Sequence, residues 1–109
     1  MGYDERLADD VRARIGSRPG VTEQEMFGGI AFMIGGNMAV GVSRDELMVR
    51  VGKDAHDKAV ERPGARTFDM GNRPMRGWIK VGGEGLETDD DFQRWVDQGV
   101  AYAESLPAK

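Results

Sequence analysis

The chain has 109 residues, 31% of them charged and 39% apolar, with no cysteine and a formal net charge of −4. A chain of this length buries roughly 65% of the surface its unfolded form exposes, so it holds a core without staples. The composition is globular rather than disordered; the missing thiols exclude disulfides and thiolate metal sites, and the acidic balance weighs against nucleic acid, which lysine and arginine must neutralise.

In chain order, Tyr3, Leu7, Val11 and Ile15 recur at every fourth position with charged residues between them. That spacing predicts one amphipathic helix, stopped by Gly16 and a turn at Pro19-Gly20. A strand is expected over Gln24 to Phe27, bent away by Gly28-Gly29. Three runs follow with period two: Ile30 to Ile34, Met38 to Val42 and Leu47 to Val51, separated by Gly35-Gly36-Asn37 and by Ser43-Arg44-Asp45-Glu46. Alternation with hairpin-length turns predicts an antiparallel meander. Lys53 to Glu61 reads as a short helix ended by Pro63-Gly64. Two weaker strands, Thr67 to Met70 and Gly77 to Val81, flank a turn at Gly71-Asn72-Arg73-Pro74. Thr88 is a good helix N-cap, Asp89 to Asp91 suit the positive first turn, and Phe92, Trp95, Val96, Gly99, Ala103 and Leu106 share a face. The expected architecture over residues 1–109 is a single α+β domain: an antiparallel sheet of meander plus second hairpin, packed with N-terminal, middle and C-terminal helices.

The two faces of the meander differ. Ile30, Phe32, Ile34, Met38, Val40, Val42, Leu47, Val49 and Val51 form a bulky face that reads as core. Ala31, Met33, Ala39, Gly41, Met48 and Arg50 form a small, methionine-lined face, unlike the polar face of a solvated sheet. A cover is expected there, with the middle helix or a loop ahead of another chain.

Chemistry is sparse. His56 is the only histidine, flanked by Asp54 and Asp57 without the spacing that puts two ligands on one helix face, and it reads as exposed and idle. Asp89-Asp90-Asp91 lacks a calcium loop around it and reads as helix capping. The glycine pairs match no phosphate-binding loop. Ser17, Ser43 and Ser105 have no neighbouring histidine to act as base. No catalytic residue, metal ligand or cofactor is expected. The best polar cluster is Arg73-Pro74-Met75-Arg76-Gly77-Trp78 with Lys80, joined by Arg50 and Lys53 if the strand carrying Arg50 ends nearby. Arginine and tryptophan are frequent at binding hot spots, so Arg50, Lys53, Arg73, Arg76, Trp78 and Lys80 are candidates for a partner or anion contact. A solvated turn with Trp78 packed in the core is the competing interpretation.

The longest apolar run, Ile30 to Ile34, is far short of the ~20 residues that cross a bilayer. Asp4, Glu5, Asp9 and Asp10 occupy the stretch where a signal peptide would be apolar. A cytoplasmic protein without membrane partners is the expectation.

Several of these blocks taken together resemble the N-terminal domain of the TfoX/Sxy family: Gly20-Val21-Thr22, Met26-Phe27-Gly28-Gly29, Ala31-Phe32, Asn37-Met38, Leu47-Met48-Val49-Arg50-Val51 and Arg73-Pro74-Met75-Arg76-Gly77. Met26-Phe27-Gly28-Gly29 is the most specific block and is treated as a structural motif. The resemblance implies an α+β domain and a link to competence regulation, in which TfoX/Sxy proteins act with the cyclic-AMP receptor protein in transcription; it implies no catalytic residues. Ending at Lys109, the chain is expected to be a stand-alone N-terminal domain, without the C-terminal domain of the longer regulators. Three functions follow as expectations: a non-enzymatic regulatory module contacting a protein of the transcription machinery or a co-regulator, a small-molecule (anion) sensor or enzyme, and direct nucleic-acid binding through a local basic patch. A homodimer through the small face is a further expectation.

Overall fold

The computed structural model describes residues 2–16, 18–26, 28–70 and 72–108, with the side chain of Met70 excepted. Ser17, Phe27 of the opening motif and Gly71 of the predicted turn lie outside the described residues.

The first helix, α1 (Glu5–Ile15), starts where Asp4 Oδ1 accepts the backbone N–H groups of Arg6 and Leu7 at 2.9 and 3.2 Å. It ends at Gly16 and turns Ala8, Val11 and Ile15 inward. Six strands follow: β1 (Val21–Met26), β2 (Gly29–Ile34), β3 (Asn37–Ser43), β4 (Glu46–Arg50), β5 (Ala65–Met70) and β6 (Arg73–Val81). Between β4 and β5 lies α2 (His56–Val60); after β6 come a 3₁₀ turn at Gly83–Leu86 and α3 (Asp89–Ser105). All strand pairs are antiparallel, in the spatial order β1-β2-β3-β4-β6-β5, so the fold is α+β as expected. Gly35 and Gly36 both take positive φ (60° and 83°), the condition for the tight β2–β3 turn that matches strand twist. At α3, Thr88 Oγ1 accepts the Asp91 N–H at 3.1 Å, as the sequence predicts.

Alternation puts Phe32, Val40, Val49, Ile79 and Thr67 in one row, and Ile30, Val42, Leu47, Val81 and Ala65 in the next. The apolar members of these rows form the core with Ala8, Val11 and Ile15 of α1, Ala59 of α2 and Trp95, Val96, Val100 and Ala103 of α3. Val100, outside the predicted stripe, is 3% exposed. Helix α3 lies close to β3: a Cβ on Gly99 would come within 2.5 Å of the Ala39 carbonyl oxygen. All three helices thus pack on one side of the sheet.

Three expectations are corrected. The β2–β3 register shifts after Phe32↔Val40 to Met33↔Met38, leaving Ala39 as an extra residue in β3. That bulge turns Met38 out of the core face and Ala39 into the core. The segment Arg73–Trp78 is strand rather than turn; it begins β6, and the reversal falls at Asn72, whose φ is 71°. Pro74 is tolerated because β4 pairs with β6 only from Trp78 to Val81, so no β4 carbonyl asks for its missing N–H. Finally, among the described residues no helix lies over the small face of the meander; Tyr102 of α3 reaches only its Arg50 end.

Candidate functional site: the methionine-lined face of the sheet

The uncovered face is built by three rows across the sheet. One runs Thr22, Met33, Met38, with Arg50 and Trp78 continuing it on β4 and β6. The second runs Gln24, Ala31, Gly41, Met48, Lys80, Arg66. The third contains Met26 with Gly29, and Ser43 with Glu46. Gly41 is the low point: a Cβ there would come within 2.7 Å of the Met38 Cε and 2.8 Å of the Met48 Cε, so the two thioethers fold over a bare backbone. Phe68, Met75 and Trp78 rise on the β5–β6 side and Met26 on the other. They enclose a groove of about 200 Å³ whose lining is almost wholly apolar.

The tall side of the groove comes from an irregular hairpin. The β5–β6 register moves from Thr67↔Ile79 to Asp69↔Pro74, so Phe68 stands opposite the four residues Met75 to Trp78. Gly77 sits in this bulge with φ 95°, a conformation that side chains other than glycine's disfavour. The bulge is fastened from the helical side. Gly77 N–H donates to His56 Nδ1 at 2.8 Å, and His56 Nε2 lies 3.0 Å from Thr67 Oγ1. With Nδ1 accepting, the ring is the tautomer that carries its proton on Nε2, which donates to the threonine. His56 is therefore a 5%-exposed structural bracket, not the exposed histidine expected from its charged neighbours. Its role depends on Gly77, 21 positions along the chain, and nothing local in the sequence signals that partner.

The candidate contact residues do not form one patch. The Arg50 guanidinium lies 5.0 Å from the Trp78 ring centroid and 5.5 Å from that of Tyr102, within cation–π range of both. Lys80 Nζ lies 5.9 Å from the Phe68 centroid and 3.5 Å from Glu46 Oε1. Glu46 also accepts both terminal nitrogens of Arg66, at 2.6 and 2.8 Å, and these bonds hold its carboxyl below the usual range. Arg76 turns the other way and grips Asp57 of α2 through two 3.1 Å bonds, which lower the Asp57 pKa. Lys53 and Arg73 are exposed. Arg50, Trp78 and Lys80 thus adjoin the groove, whereas Arg76 ties the bulge to a helix.

The opening motif has a geometric part in the same site. Met26 supplies a groove wall. Gly29 lets β2 start flush against β3, since a Cβ there would lie 2.4 Å from the Val42 carbonyl oxygen. The contributions of Met38 and Met75 to the groove are not readable from strand alternation, because two bulges place them.

No helix of the chain is long and apolar enough to cross a membrane. No curated protein and no solved structure matches the chain significantly. The family model described as the TfoX N-terminal domain matches residues 13–103, from the last turn of α1 to the last turn of α3, and the chain belongs to that family.

Proposed function

We propose that the protein is a regulatory module of the TfoX/Sxy type that works by binding another protein across the bare face of its sheet. The observation that carries this is the methionine-lined groove itself: an apolar surface on the side of the sheet opposite the helix-packed core. Exposed contiguous apolar surface marks interaction sites, and flexible thioethers adapt to protein surfaces. A groove of about 200 Å³ is smaller than the roughly 300–1,000 Å³ typical of small-molecule sites, which favours side chains of a partner over a whole metabolite. Direct nucleic-acid binding is less well served, because Arg76 turns away from Arg50 and Lys80 to pair with Asp57, so the candidate cations do not line a common phosphate track.

The test is affinity capture of the tagged protein from its own cells, comparing the wild type with Met48→Glu and Arg76→Glu. Met48→Glu places a charge in the middle of the groove and is expected to lose the specific partner, while Arg76→Glu retains it. Equal recovery with all three overturns the assignment of the face.

A further inference from the structure

Resting on that reading, we infer that the partner segment is acidic: it seats a bulky apolar side chain between Met38, Met48 and Trp78 and sets carboxylates against Arg50 and Lys80. The charge on the bare face differs in sign from that on the whole chain. Within the regular ladder, alternation puts Arg50, Lys80 and Arg66 on this face against Glu46 alone, three cations to one carboxylate and a local balance of +2. The remainder of the molecule therefore carries the excess acid that gives the net −4. Toward the hairpin tip the exposed Arg73 and Asp69 add one charge of each sign, and Asp69 acts on Arg66.

The cations are also positioned with respect to the groove. Each aromatic wall bears one, Arg50 on Trp78 at 5.0 Å and Lys80 on Phe68 at 5.9 Å. Glu46 is shared between Arg66 and Lys80, and it bonds Arg66 bidentately while Lys80 stays at 3.5 Å. Arg50 forms no ion pair among the described residues. A half-buried guanidinium within cation–π range of two rings, with no ion pair among the described residues, can take a carboxylate, which arginine's fork suits. A second copy of this chain is a poor occupant, since face-to-face pairing sets +2 against +2. A nucleic-acid strand would bring phosphates but little to fill a thioether-lined trough, where stacking platforms use aromatic rings.

The experiment uses the full chain and short synthetic peptides, each with a central tryptophan or leucine anchor flanked by Glu/Asp, by Ser or by Lys, read by fluorescence polarisation at low and moderate salt. Acid-flanked peptides are expected to bind roughly tenfold tighter than serine-flanked ones and lysine-flanked peptides not at all, with the preference shrinking as salt rises. Arg50→Glu is expected to abolish the preference while apolar-anchor binding persists, and its melting curve checks folding; the wild-type comparison decides the matter even if that variant fails to fold. Equal binding of acid- and serine-flanked peptides overturns the acidic partner and leaves the docking face standing. No binding by any peptide overturns both. Salt-sensitive binding of an oligothymidylate probe instead, or a dimer by light scattering that Met48→Glu dissolves, assigns the face to nucleic acid or to a second copy and overturns the inference.

Discussion

The two sides of one sheet follow different chemistry. On the helical side the central strands turn branched aliphatic side chains inward, and Val40, Val42, Leu47, Val49, Ile79 and Val81 are all fully buried. On the other side the same strands present Ala31, Gly41, Met48 and Lys80 in one row, and the larger side chains stay half-buried. Stiff side chains with few rotamers specify one packing; methionines over a glycine accept several. The first surface is built to hold the fold and the second to meet something else, so substitutions on the two sides should separate stability from binding.

The sharpest way to break that separation is to truncate one large residue on each side. Trp95 is 1% exposed beneath α3, with the Arg62 guanidinium 3.5 Å from its ring centroid and Gln98 Oε1 accepting from Arg62 at 2.7 Å. Trp95→Ala should cost about 3–5 kcal/mol, a large share of the roughly 5–15 kcal/mol that a domain has in total. Trp78→Ala, on the half-buried bare side, should cost well under half of that while abolishing peptide binding. Urea denaturation measures both; equal costs would mean that the bare face is as much core as its opposite.

The link between the faces is His56. It stands on the helical side yet fixes Gly77, and through it the bulge that carries Met75 and Trp78. His56→Ala should strand the buried Gly77 N–H and cost about 1–3 kcal/mol. His56→Asn, whose Oδ1 lies where Nδ1 does, should recover part of that loss. Amide hydrogen exchange at Gly77 is the informative measurement: exchange that accelerates in the alanine variant and slows again in the asparagine variant identifies the bracket, and unchanged exchange refutes it.

The comparison also explains what could be read from the sequence. Alternation and turn chemistry gave the meander and all three helices, because Phe32, Val40 and Val49 obey a strict period of two and Thr88 is a local signal. The small face was legible for the same reason, through Ala31, Gly41 and Met48. What failed depended on register. One extra residue at Ala39 reverses Met38 with no signature of its own, and three extra residues in β6 make a wall out of a predicted turn, where Gly77 marks a bulge but not its length. Asp54 and Asp57 predict an exposed His56, whereas its partners are Thr67 of β5 and Gly77 of β6, which its own neighbours do not signal.

The smallest expected stability effect is at Glu46, where a substitution alters the charge of the bare face and little else. Glu46 is that face's one carboxylate in the regular ladder, and the Arg66 bonds keep its folded pKa below its ordinary value of 4.5. Its contribution is therefore complete above about pH 4.5 and is lost as pH falls through the depressed folded value. Glu23 and Asp97, bonded to Arg12 and Arg14 on the other side of the molecule, are lowered in the same direction, so acid alone does not isolate Glu46. Glu46→Gln does. It should reduce stability at neutral pH by about 1 kcal/mol, as a partly exposed ion pair should, and flatten the acid limb of the stability profile by the same amount. It should also raise the local balance of the face from +2 to +3 and tighten acidic peptides, since Lys80 and Arg66 lose their internal carboxylate. A variant that is less stable yet binds acid better would show that Glu46 restrains those cations at some cost to docking. Weaker binding would mean instead that Glu46 holds Lys80 and Arg66 where the partner needs them.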